Sequence, residues 1–458
     1  MKKLFVIGLD CVPPNLLFNK FIEDLPNIKS LIQKSTIAKL KSCTPPITIP
    51  AWSCMTSSKS PGSLGVYGFR HRKNNSYDGI RISTSQDIKH DRVWDILSRK
   101  NKKVIVIGVP QTYPPKKVNG YLVSGFLTPS LESEYTYPPE FKQEIKEIVG
   151  EYEFDATEYR TDKKDELLKK IYDITKKRFK LIKHLIKNKE WDFFMFVEIA
   201  TDRLHHGFWK FFDKTHRKYE PNNKYESEIL KYYKYLDTEI GELIKLLDKD
   251  TKIMLVSDHG VKSMEGCINI NDLLINLGYL KLKEKPKGAV KFHEANIDWS
   301  KTKAWGWGGY YARIFLNVKG REPQGIIKKG DYEAEREKLK NLLQQVKDDR
   351  NKEIKNLIFK PEEIYKEPKG DLPDLLAFFG DLAWRSNATI GNNSIYSLEN
   401  DTGPDDAVHD WNGVFIMYDP KNSIYKEIDE IDIKDIAPTI LSILGEEIPQ
   451  DMEGKVIE

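Results

Sequence analysis

Short runs of β-branched, aliphatic and aromatic residues recur along the chain at Leu4 to Leu9, Lys103 to Ile107, Phe193 to Val197, Lys252 to Val256, Arg313 to Asn317 and Val414 to Tyr418. Helix-period patterns lie between them. This alternation predicts an α/β fold with a mainly parallel central sheet and helices on both faces. Several runs end in polar or acidic residues: Asp10 after Gly8-Leu9, Glu198 after Val197, and Ser257-Asp258-His259-Gly260 after Val256. Ligand sites in open α/β sheets collect at the carboxyl ends of strands, so these residues are candidates to converge.

Between the runs, Asp162 to Lys189 and Tyr219 to Leu247 read as long, charged amphipathic helices whose polar faces are solvated. The segment Ile436 to Gly445 reads as a late helix stopped by glycine, with Asp435 as its cap. From Lys262 to Thr402 the pattern is less regular, with a strand pair near Ala304 to Asn317, a charged helix near Tyr332 to Lys347 and many turn residues. The expected organisation is a single catalytic domain over 1–458, with a smaller inserted cap region within 262–402. No repeat or low-complexity linker interrupts it.

The opening Met1-Lys2-Lys3 followed by Leu4 to Leu9 is too short an apolar run for a signal peptide and stops at an acid, so it reads as the first strand. No apolar stretch is long enough to cross a bilayer, and the default expectation is a cytoplasmic protein without a membrane span. The 73 basic residues nearly balance 69 acidic ones, which gives no reason to expect a nucleic-acid polymer as partner. Cys11, Cys43, Cys54 and Cys267 lack C-x-x-C spacing and are expected to be reduced and packed.

Chemistry-bearing residues stand at four places along this frame. Asp202 and His206, four residues apart on a helical pattern, would share one face and could grip a metal ion, although such a pair alone is as readily a surface ion pair. Asp258-His259 puts an acid and an imidazole at a strand end, where a turn or cap role is the plainer alternative. Asp10 closes the first strand, with capping and ligation equally open. His409 lies in a turn-rich stretch before Val414. A nucleophile candidate, Thr48, lies between Pro45-Pro46 and Pro50, and the small polar residues after Pro50 suit a helix start whose N–H groups could face a phosphate.

Taken together, Gly8-Leu9-Asp10, Pro45-Pro46-Ile47-Thr48-Ile49-Pro50-Ala51-Trp52-Ser53, Ser60-Pro61-Gly62-Ser63-Leu64-Gly65, Asp202 with His206, Asp258-His259-Gly260, His409 and Asp435-Ile436-Ala437-Pro438-Thr439 resemble the type I phosphodiesterase/nucleotide pyrophosphatase branch of the alkaline phosphatase superfamily, in order and in spacing. Val109 to Pro115, Gly125 to Ser130, Asn317 to Gly325 and Pro373-Asp374-Leu375 are similar to a phosphohydrolase/phosphomutase group within it. The resemblance implies an alkaline-phosphatase-like core and a two-metal phosphohydrolase that takes a small phosphorylated substrate. It implies Asp10, Thr48, Asp258 and His259 around one ion and Asp202, His206 and His409 around the other, with Thr48 attacking phosphorus to give a phosphothreonine. Mixed carboxylate and imidazole donors suit zinc, with manganese as the alternative. Two departures stand out: the stretch before His409 is acidic and longer than a compact Gly-x-His pattern, and Ser63-Leu64-Gly65 replaces a His-Gly pair.

Arg203, His205 and Arg385 are candidates to bind substrate, with Arg70 and Arg72 as further ones, because phosphate charge needs donors besides the metals; surface arginines held in ion pairs are the plainer alternative. Trp305 and Trp307 would either stack on a substrate ring or pack a cap against the core. A phosphomonoesterase or phosphomutase on the same fold, or a non-catalytic metal-binding protein, are the competing readings; retention of Thr48 argues against the last. Cys43-Thr44-Pro45-Pro46-Ile47 imitates the C-x-P-x-R start of a sulfatase site but lacks its arginine.

Overall fold

Leu4–Leu9 is buried along its whole length, because both faces of the strand are covered and both its edges are paired. Such a strand cannot alternate apolar with polar residues, which is why it reads as an unbroken apolar run. The computed structural model describes residues 2–77 and 79–458. In it Leu4–Leu9 lies between Lys252–Val256 and Phe193–Glu198, parallel to both. The full sheet runs from Lys426–Asp432 through Ser35–Lys41, Asn412–Tyr418, Lys252–Val256, Leu4–Leu9, Phe193–Glu198, Val104–Ile107 and Gly120–Val123 to Thr136–Tyr137. Five of its pairings are parallel and three antiparallel.

Side chains alternate across this sheet into two cores. Phe5, Ile7 and Leu9 join the layer formed with the helices Pro26–Ile32, Lys164–Asn188, Ala200–Phe212 and Glu228–Leu246. Leu4 and Val6 join the layer under the helices Thr48–Ser57, Val93–Arg99 and Ile436–Leu444. Gly8 faces this second layer, where an added Cβ would stand 2.7 Å from Trp52 Cη2 and 2.8 Å from Val197 Cγ2. Neither neighbour can retreat inside a packed core, so Gly8→Ala is expected to destabilise the protein by about 1–3 kcal/mol. A thermal melt identical to that of the unsubstituted chain would show that this contact relaxes.

Two expected strands take other roles. Asn412–Tyr418 is antiparallel to both of its neighbours. Its direction is set just before it: Ala407–Asp410 pairs antiparallel with Gly260–Ser263, which continues the Lys252–Val256 strand, so the returning chain must run against that strand too. The strand expected from Arg313 to Asn317 spans Ala312–Leu316 and belongs to a separate antiparallel sheet with Ala304–Trp307, Leu375–Phe378 and Leu357–Phe359. That sheet lies within a lobe entered and left through the Gly260–Ser263 and Ala407–Asp410 ribbon. The lobe has its own core, in which Trp305 and Trp307 are buried, so both indoles are packing groups. The helix expected from Tyr219 begins only at Glu228, because Pro221 and the left-handed Asn222 hold the preceding segment in turns.

Candidate active site

The helix carrying Thr48 starts at that residue, before Pro50 rather than after it, with Ile47 extended as its N-cap. Pro50 falls in the first turn, where its missing N–H has no helical acceptor to lose. Thr48 and Ile49 therefore present N–H groups at the positive end of the helix. The Thr48 hydroxyl oxygen lies 3.3 Å from His259 Nε2.

Around Thr48 the structure brings together side chains supplied by distant parts of the chain. Asp10 follows the central strand, Asp258 and His259 follow its neighbour Lys252–Val256, Asp202 and His206 share one face of the Ala200–Phe212 helix, and His409 lies on the Ala407–Asp410 strand. They form two buried groups, Asp10 with Asp258 and His259, and Asp202 with His206 and His409. Within each group the donor atoms lie within 4.8 Å of one another. The groups touch: the His259 and His409 rings stack at 3.7 Å between centroids.

All three imidazoles are held by the same device. His206 Nδ1 bonds Asp405 Oδ1 at 2.6 Å, His259 Nδ1 bonds the Gly260 carbonyl at 3.1 Å, and His409 Nδ1 bonds the Pro46 carbonyl at 2.8 Å. A ring whose Nδ1–H is donated outward keeps its Nε2 lone pair for a ligand on the inner side. Each Nε2 points inward: His206 to Asp202 at 3.3 Å, His259 to Asp258 at 3.2 Å, and His409 to Asp202 at 3.5 Å.

Buried polar atoms almost always have hydrogen-bond partners. Here Asp10 Oδ1, Asp202 Oδ1, Asp258 Oδ2 and His409 Nε2 have none among the described residues, and all of them belong to the two groups. Carboxylate oxygens and imidazole nitrogens left unsatisfied around one point are a donor set for divalent cations. The residues present thus fit two metal ions.

Electrostatics agree. Burial, followed by repulsion from Asp202, raises the Asp10 carboxyl well above its ordinary range, and burial with repulsion from Asp10 does the same to Asp258. Burial would raise Asp202 too, but His206 and Arg203 hold it well below. Burial disfavours a charged His206, yet Asp405 and Asp202 outweigh it and push that imidazole up to about 10. Burial lowers His409 to about 4, and burial with His409 lowers His259.

In the metal-free chain, Asp10 and Asp258 therefore favour folding most below the ordinary carboxylate value of 3.8, and that contribution declines as pH rises through their raised folded values. Metal uptake displaces those protons and removes the repulsion. Zinc titrated into metal-stripped protein should release protons, and should raise the melting temperature more at about pH 8 than at about pH 5. Calorimetry in buffers of different ionisation enthalpy reads the protons; uptake without release would contradict this charge assignment.

A cavity of about 490 Å³ opens beside the site and is lined by Ile47, Tyr310, Arg203 and Arg385 among others. Tyr310 stacks on His409 at 3.7 Å and places its hydroxyl 3.2 Å from His206 Nε2. Arg203 reaches the cavity while bound to Asp155, at 2.7 and 2.8 Å, and to Asp202. Arg385 and Arg160 share Asp405, at 2.9 and 2.8 Å.

His205 is not brought to the cavity. It is fully buried, bonds Tyr233 at 3.1 Å and packs edge-on to Trp209, because its position on the helix turns it into the core. Nor is Arg72, which is held by Asp371 and Glu322 and lies over Phe315. Sequence reasoning passed over Asp405, Trp52, whose indole donates to Asp10 Oδ2 at 2.7 Å, and Tyr310. For Asp405 a signal existed: two acids stand together just before His409.

The family model for type I phosphodiesterase/nucleotide pyrophosphatase matches residues 4–405. No curated protein matches the sequence. Among solved structures, murine ectonucleotide pyrophosphatase/phosphodiesterase 5 aligns with a TM-score of 0.58 at 12% identity, over 98% of this chain and 97% of that one. The human protein aligns at 0.57 with the same identity and coverage, as does an inactive variant of the murine protein in complex with AMP. At that identity the likeness shows a shared fold.

Proposed function

The chain belongs to the type I phosphodiesterase/nucleotide pyrophosphatase family, a divalent-metal-dependent family of hydrolases acting on phosphodiester or pyrophosphate bonds, and from that premise we propose that Thr48 is its nucleophile at a two-metal centre. The observation that carries the proposal is the placing of the Thr48 hydroxyl against His259, at a helix N-terminus, beside two groups of buried, unsatisfied donors. Asp10, Asp258, His259 and Thr48 would hold one ion, and Asp202, His206 and His409 the other. Two divalent ions bound there would lower the pKa of the threonine hydroxyl and of water and offset charge on the phosphoryl oxygens. Imidazole donors in both groups favour zinc over magnesium or calcium, with manganese second.

Thr48 Oγ1 attacks phosphorus in line with the departing oxygen; the new O–P bond forms as the P–O bond to the leaving group breaks, giving a phosphothreonine. Water then attacks the same phosphorus and returns the hydroxyl. The N–H groups of Thr48 and Ile49 face the oxygens on which charge accumulates. The outward hydrogen bonds of His206, His259 and His409 fix ring orientation throughout, so little reorganisation accompanies the step.

The cavity size suits a small phosphorylated substrate. Cys11, Cys43, Cys54 and Cys267 are free and buried, which accords with a reducing compartment such as the cytoplasm. No helix among the described residues is long and apolar enough to cross a membrane.

The direct test is turnover of bis-p-nitrophenyl phosphate against p-nitrophenyl phosphate by metal-stripped protein resupplied with zinc or manganese. Faster diester cleavage is expected. Faster monoester cleavage would replace this proposal with a phosphatase or mutase.

A further inference from the structure

Arg70, Arg160, Arg203, Arg313 and Arg385 all line the cavity beside the site. Arg203 is paired with Asp155 and Asp202, and Arg160 and Arg385 share Asp405. Arg313 and Arg70 differ: among the described residues neither has a carboxylate within ion-pair distance. Arg313 is only 6% exposed. One of its five N–H groups is used, Nη1 donating to the Arg70 carbonyl at 2.5 Å, and its guanidinium lies 5.1 Å from the Trp307 ring centroid.

Burying a cation without a counter-charge costs several kcal/mol, and proteins rarely retain such a group without a partner. A purely structural tie to one carbonyl does not need a permanent charge. Burial lowers the Arg313 pKa; Tyr311 and Asp371 oppose that more than Arg70 and Arg72 add to it, but the Asp371 carboxylate is itself bound to Arg72. The two guanidiniums come from different parts of the fold: Arg70 from the Arg70–Arg72/Ile80–Ile82 hairpin, Arg313 from the lobe sheet. Both residues line the cavity that also contains Ile47, the residue before Thr48, and Tyr310, which contacts His206.

We propose that Arg313 and Arg70 form a second anion subsite, which receives a phosphoryl group of the substrate other than the one being cleaved. A pair of guanidiniums without a carboxylate matches the nearly dianionic charge and multiple acceptor oxygens of a terminal phosphate better than a single carboxylate. The substrate class is thus a phosphodiester or pyrophosphate with an additional terminal phosphate. This rests on the proposed hydrolase site for the position of the cleaved bond, whereas the subsite's affinity for phosphate does not depend on catalysis.

The test has two arms. In the first, pyrophosphate is titrated calorimetrically into metal-stripped protein, and Arg313→Gln and Arg70→Gln are each expected to weaken binding at least about tenfold. Arg70 is exposed, so its substitution leaves the core untouched and keeps the result readable if Arg313→Gln melts early. Pyrophosphate binding unchanged in Arg70→Gln, or malonate bound as tightly as pyrophosphate, overturns the subsite.

In the second arm, the p-nitrophenyl ester of thymidine 5′-phosphate is compared with its 3′-phosphorylated form. The ratio of kcat/KM should favour the phosphorylated ester by about tenfold or more and collapse towards unity in both variants. A ratio near unity in the unsubstituted protein, or one retained in the variants, overturns it. If neither ester is cleaved the hydrolase proposal fails, and the binding arm alone decides the subsite.

Discussion

Thr48→Ala is expected to lower kcat for bis-p-nitrophenyl phosphate by about 10⁴-fold or more, with bound metal nearly unchanged. The magnitude follows from removing the atom that forms the covalent bond, which no neighbouring group supplies. Metal should persist because Asp10, Asp258 and His259 still converge on one point and the Asp202, His206 and His409 group is untouched. The methyl side chain should be tolerated, since Thr48 is packed at a helix start where its backbone conformation is ordinary. Steady-state kinetics and elemental analysis of the same sample check both halves. Turnover within tenfold of the unsubstituted chain would remove Thr48 from its role, and loss of both ions would reduce it to a ligand.

Asp405→Asn is expected to act through other residues. Asp405 bonds His206 Nδ1 and is also the shared ion-pair partner of Arg160 and Arg385. Its replacement leaves these cations without their shared counter-charge, a change that typically costs roughly 3–5 kcal/mol. It also releases the orientation of the His206 imidazole, and loss of such an outer partner from a ligand typically weakens metal binding about 10- to 100-fold. Activity should therefore return in part at high zinc, as it would not for Thr48→Ala.

The pH dependence has a definite sign. Burial would raise the Asp405 carboxyl, but His206, Arg160 and Arg385 hold it well below the usual range. Its contribution to stability is present above the ordinary value of 3.8 and lost as pH falls through the depressed folded value. The gap between Asp405→Asn and the unsubstituted chain should thus be full at neutral pH and narrow in strong acid. A constant gap in thermal melts across that range would mean that charge is not what Asp405 contributes.

Legibility in the sequence followed how each residue is used. Leu4–Leu9 and Phe193–Glu198 are buried on both faces, so composition alone marks them. Lys426–Asp432 escaped notice because it is an edge strand, largely exposed and dense in acids, a pattern that resists edge-to-edge pairing and hides strand character. The antiparallel course of Asn412–Tyr418 depends on a partner about 160 residues earlier, which no local pattern encodes.

In the site, Asp202 and His206 were visible because their spacing matches a helix turn. Their meeting with His409 was suggested only by resemblance, since that contact spans the lobe. The groups that orient and surround the ligands, Asp405, Trp52 and Tyr310, carry no spacing rule. Arg203 and His205 hold the same chemical promise, and two helical positions separate a cavity-lining guanidinium from a core imidazole.

The central position of Leu4–Leu9 also sets an order of assembly. It precedes both of its hydrogen-bonding partners, Phe193–Glu198 and Lys252–Val256, by a long stretch of sequence. This apolar segment must therefore wait, unpaired, until both partners have been made, and its closure is a slow, non-local event. His409, the last of the converging side chains in the sequence, arrives only after the whole lobe has been made and its strand has returned to Gly260–Ser263. A nascent or truncated chain is then not a weaker catalyst but one without a centre, and hydrolytic competence appears in a single late step of folding.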